Sequence, residues 1–61
     1  MFTAVYNPEQ ELIAAIEAQE MEIRNIRRRI EHAHTEQDKR VLNRLLTETE
    51  QYIEALRERL G

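Results

Sequence analysis

The residues of this chain best suited to chemistry are His32 and His34, its only histidines, set among Glu31, Glu36 and Asp38. Imidazoles and carboxylates this close together are donor types that a divalent metal accepts. Their spacing argues against a chelate. Residues two apart point to different faces of a helix, and the i, i+4 pairs His32/Glu36 and His34/Asp38 share a face only if one helix runs unbroken through the segment. The better expectation is that these side chains finish one helix and begin the next, since a histidine near a helix C-terminus suits the negative end of the dipole. No metal or other cofactor is expected. The twelve Asp and Glu residues are spread along the chain, whereas general acid–base work needs a pocket that desolvates one carboxylate. There is no serine or cysteine to act as a nucleophile, and the single glycine, Gly61, makes no phosphate loop. The sequence is therefore not expected to encode an enzyme.

Charge is the second chemical feature. Residues 1–23 carry five glutamates and no Lys or Arg. Residues 24–44 carry Arg24, Arg27, Arg28, Arg29, Lys39, Arg40 and Arg44 against three acids, a net of +4, and residues 45–61 return to −2. If the chain doubles back near its middle, the bend is basic and the two ends together are acidic. Such a dipole favours self-assembly with each basic bend beside a partner's acidic end. The alternative is that the same seven basic residues contact an anion or the phosphates of a nucleic acid. An acidic pI of about 5.3 and the lack of any aromatic residue among these basics for base stacking weigh against that alternative. Small RNA-binding hairpin dimers of the Rop kind are similar in the expected architecture, which implies only that such a bundle can serve nucleic acid.

The elements that must position these groups are written in two apolar stripes. Steps of four and three from Leu12 land on Ile16, Gln19, Ile23, Ile26, Ile30 and Ala33, the seam of a helix that packs on other helices. Continued at that spacing, the seam would meet Gln37, Arg40, Arg44, Thr47, Gln51, Glu54 and Glu58, all polar. A new seam opens at Leu42, Leu46, Thr49, Ile53, Leu56 and Leu60, widened by Val41, Leu45 and Tyr52. The change of phase predicts a turn between the stripes, although one long helix with two partner faces would also obey it. Gln19 and Thr49 interrupt the seams, and polar residues at such positions often set register. The expectation is that they lie in facing layers and exchange hydrogen bonds within or between protomers, the alternative being tolerated half-exposed positions at the edge of the seam.

The expected organisation is a single domain: an apolar arm over residues 1–7, helix one over 8–34, a turn at 35–37 and helix two over 38–61. Asn7-Pro8-Glu9-Gln10 carries a cap, a proline at the first helical position and an acid in the first turn. Thr35-Glu36-Gln37-Asp38 has the form of a second capping box. Phe2, Val5 and Tyr6 in the arm are large apolar groups, expected either to cap the open end of the bundle or to dock on a partner.

At 61 residues without cysteine, there is neither a disulfide nor a Cys-based zinc site to staple a small core. Association with a second copy is the remaining source of stability. The fold class expected is all-α: an antiparallel helical hairpin, coiled-coil-like, that forms a four-helix-bundle homodimer or larger. Its interface is expected to use Leu12, Ile16, Ile23, Ile26, Ile30, Leu42, Leu45, Leu46, Tyr52, Ile53, Leu56 and Leu60. The function expected is that of a non-catalytic interaction or regulatory protein that binds itself and another protein. No apolar run approaches the length of about 20 residues that spans a bilayer, and residues 1–6 lack a basic segment of the signal-peptide type. No membrane partner is expected, and the compartment expected is the cytoplasm, or a host cytoplasm for a chain of phage origin.

Overall fold

In a computed structural model that describes residues 7–61, two helices lie side by side as an antiparallel hairpin. The arm residues Phe2, Val5 and Tyr6 lie outside the described residues. Helix α1 spans Pro8–Glu31 and helix α2 spans Glu36–Leu60. At about 1.5 Å per residue each is about 36 Å long, so the bend and the chain ends are separated by almost the whole molecule.

Each start is fixed by a side chain that satisfies backbone donors no earlier carbonyl can reach. Asn7 Oδ1 accepts from the amides of Glu9 and Gln10 at 3.1 and 3.3 Å, with Pro8 following at the first helical position. Thr35 Oγ1 accepts from the Asp38 amide at 3.0 Å, so the expected cap is made. Thr35→Ala removes that acceptor and should cost about 1 kcal/mol, measured as a lower urea midpoint with an unchanged m-value.

The bend differs in its boundaries from the expected 35–37. α1 stops at Glu31, three residues short of 34, and α2 begins at Glu36, ahead of 38. The reason is local. Thr35 can cap only from an extended backbone, and it adopts φ −122°, ψ 155°. The preceding residues must therefore leave the helix before it. They do so by tightening the last turn: the His32 amide donates to the carbonyls of Arg28 and Arg29, and that of Ala33 to Ile30. None of the described residues has positive φ, so the hairpin turns without the left-handed glycine that many helix ends use.

The interior is a narrow strip. Ile16, Ile53 and Leu56 form its main cluster, with Leu12, Ala15 and Ile23 packed against it. Ile26 is fully buried and Leu42 almost so. Leu42, Thr49, Ile53 and Leu56 follow the seam read from the sequence, and Ile16 and Ile26 do so on α1. Thr49 is the one buried polar residue among those described, and its hydroxyl donates to the Leu45 carbonyl at 2.8 Å. Within one protomer Thr49 therefore bonds to its own helix and not to Gln19. A carbonyl one turn back is always within reach of a helical threonine, and it satisfies the hydroxyl without a partner across the interface.

Candidate self-association surface

The two flanks of the hairpin are unlike. Taking Leu42 as the inward direction of α2 and about 100° per residue, Glu50 and Arg57 fall on one side of the seam, and Val41, Leu45 and Tyr52 on the other. On the first side the helices are tied together by charge. Arg57 Nη2 meets Glu20 Oε2 at 2.9 Å, and Arg27 Nη2 approaches Glu50 Oε2 at 3.8 Å. These pairs were not legible as along-helix neighbours. The sequence suggests Arg24 as the partner of Glu20 one turn on and none for Glu50, yet both glutamates turn to the opposite helix. All four side chains are partly exposed, so each pair is worth at most about 1 kcal/mol and closes the flank more than it stabilises it.

The second flank has no such closure. Val41 is 59% exposed, Tyr52 52% and Leu45 37%. Val41 and Tyr52 are eleven residues apart, close to three full turns, so they project from one side of α2. Beside Val41, toward the bend, lies an open depression of about 450 Å³ lined by Arg29, His32, Ala33, His34, Asp38, Val41 and Leu42. Beside Tyr52, toward the chain ends, a second of about 400 Å³ is lined by Pro8, Glu11, Leu12, Ala15, Tyr52, Leu56 and Arg59. An apolar band thus runs between two hollows, each bordered by charged side chains. Among the described residues two more large apolar side chains are exposed, Met21 alone on the outer side of α1 and Leu60 at the end of α2, and neither needs a further account.

Of the residues expected at an interface, Ile16, Ile26, Leu42, Ile53 and Leu56 are already buried within one protomer. Leu12, Ile23, Ile30 and Leu46 are half-buried, and Leu45, Tyr52 and Leu60 are the ones left open.

The seven basic residues near the bend do not gather on one face. Arg27, Lys39 and Arg44 are paired with Glu50, Glu36 and Glu48. Arg24 and Arg27 line a shallow depression on the ion-paired flank with Glu20 and Ile23, whereas Arg29 lies on the apolar flank. Arg40 and Arg44 stand on the outer side of α2, each roughly 160° from Leu42 around the helix axis.

His32, His34 and Asp38 do share the depression at the bend, but no group of three or more metal-type side chains is close enough to hold an ion among the described residues. Every described Asp and Glu is exposed apart from half-buried Glu20, so none is desolvated as a general acid or base would need. No described helix is long and apolar enough to cross a membrane. No protein-family model, curated protein or solved structure matches the chain.

Proposed function

We propose that this chain is a small non-catalytic interaction protein that self-associates as a four-helix-bundle homodimer and, in that form, binds another protein. The observation that carries the reading is the asymmetry of the hairpin: one flank is closed by Glu20–Arg57 and Arg27–Glu50, while the other leaves Val41, Leu45 and Tyr52 in water. A lone two-helix layer has a core on the order of five buried side chains and a stability of only ~3–5 kcal/mol. Covering the open flank with a second layer adds the apolar burial that the single layer lacks. The outer faces, basic at the bend and acidic at the chain ends, are then what the dimer offers to a regulatory partner. The scatter of the arginines favours a protein partner over a nucleic acid, whose phosphates ask for cations along one continuous track. A cytoplasmic setting, the cell's own or a host's, fits a chain that needs no disulfide.

Sedimentation and thermal melting test the first step. The mass should be that of two 7.3-kDa chains at tens of micromolar or below, and the melting midpoint should rise with protein concentration, as mass action requires when folding and association are linked. A single-chain mass at every concentration, with a midpoint that does not move, refutes it.

A further inference from the structure

We infer that the occupant of the open flank is a second copy laid bend-to-end, with α1 crossing over α1 and α2 over α2 about a two-fold axis perpendicular to the helices. This rests on the self-association reading and adds to it the orientation and the pairing residues. The argument comes from where the flank carries its charges. Arg29 and Asp38 border the hollow at the bend, and Glu11 and Arg59 border the hollow at the chain ends. Among the described residues none of these four is in an ion pair. On α1 the ends carry Glu11 where the bend carries Arg29, and on α2 they carry Arg59 where the bend carries Asp38. The two hollows are therefore opposite in sign, helix by helix.

The spacing agrees. Glu11 and Arg29 are eighteen residues apart, about five full turns, so they share one side of α1. Measured from the bend at about 1.5 Å per residue, Arg29 and Glu11 lie at about 7 and 34 Å, Asp38 and Arg59 at about 7 and 38 Å, and Val41 and Tyr52 at about 11 and 28 Å. The midpoints of all three pairs fall within about 3 Å of one another, at about 19–23 Å, near the centre of the helices. A two-fold axis through that level brings all three pairs to matching heights at once. Arg29 meets Glu11 of the partner subunit, Asp38 meets the partner's Arg59, and Val41 lies over the partner's Tyr52. Laid bend-to-bend, the same flank can meet itself only with α1 over α2, which sets Arg29 beside the partner's Asp38 but stacks the +4 bend on another +4 bend and the acidic chain ends, −5 and −2, on each other. Like charges across a contact work against that arrangement.

Because the chain contains no cysteine, cross-linking reads the orientation directly. Val41→Cys and Tyr52→Cys chains are prepared separately and treated with a short bis-maleimide, alone and mixed. Bend-to-end packing predicts a covalent dimer in the mixture and little from either variant alone. Cross-linking of Val41→Cys chains to themselves, with wild-type-like sedimentation, overturns the orientation while leaving self-association standing. No cross-link in any tube, together with single-chain mass, overturns both. A charge exchange supplies the second readout. Arg29→Glu and Glu11→Arg should each weaken the dimer by about tenfold, and mixing the two should restore wild-type affinity, because each copy then meets its complement at both contacts. Failure of the mixture to recover counts against the pairing.

Discussion

Replacing Ile26 with alanine should leave the chain largely unfolded at micromolar concentration, the largest effect expected of any single apolar truncation here. Among the described residues Ile26 is the one large side chain with no solvent exposure, so its truncation removes buried methyl groups at a site with no access for water to fill the void. Isoleucine-to-alanine changes at such sites cost about 2–5 kcal/mol, the transfer term plus the cavity. A chain of this size has about 3–5 kcal/mol in total, so the loss is comparable with everything that holds it folded. Ile26→Val should cost about 0.5–1.5 kcal/mol and stay folded, which grades the effect by volume. Far-UV circular dichroism against urea reads both. If association contributes to stability, raising the concentration should recover part of the helicity of the alanine variant. A helical Ile26→Ala chain with a near-native midpoint would mean that the strip between the helices is not the core.

How much of this was legible in the sequence depends on whether the feature is one-dimensional. The seams were, because burial along a helix repeats at a spacing that can be counted: Leu42, Thr49, Ile53 and Leu56 are buried in steps of seven, four and three. The caps were too, because Asn7 and Thr35 act on amides two or three residues away. The end of α1 was not. No glycine or proline marks it, and it is set by the extended backbone that Thr35 needs four residues later. The cross-helix pairs Glu20–Arg57 and Arg27–Glu50 were hidden because helical spacing speaks only for neighbours on one helix. The difference between the flanks was hidden for a deeper reason. Val41, Leu45 and Tyr52 read as a widened seam until the hand of the turn decides which side of α2 faces the charged side chains of α1. Chirality of the hairpin is not written in any single stripe, so a surface that depends on it emerges only once both helices are placed.

Val41→Glu should abolish self-association while leaving helix formation within reach, and its contrast with Met21→Glu isolates the cause. Both side chains are exposed in the single hairpin, at 59% and 62%, so on the protomer alone each change belongs with surface substitutions worth within about ±0.5 kcal/mol. The proposed dimer separates them. Met21 remains in water on the outer side of α1, whereas a carboxylate in place of the Val41 side chain would be enclosed against the partner's Tyr52 with no cation opposite it. Leaving a charge buried and unpaired costs about 3–5 kcal/mol, and the two-fold axis imposes that cost twice. The dimer dissociation constant should therefore rise by at least about a hundredfold, and the melting midpoint should fall and lose its dependence on concentration. Met21→Glu should change neither. Sedimentation equilibrium of the two variants beside the parent chain gives the comparison. If Val41→Glu proves as silent as Met21→Glu, the band from Val41 to Tyr52 is ordinary surface, and the hairpin owes its stability to its own narrow core.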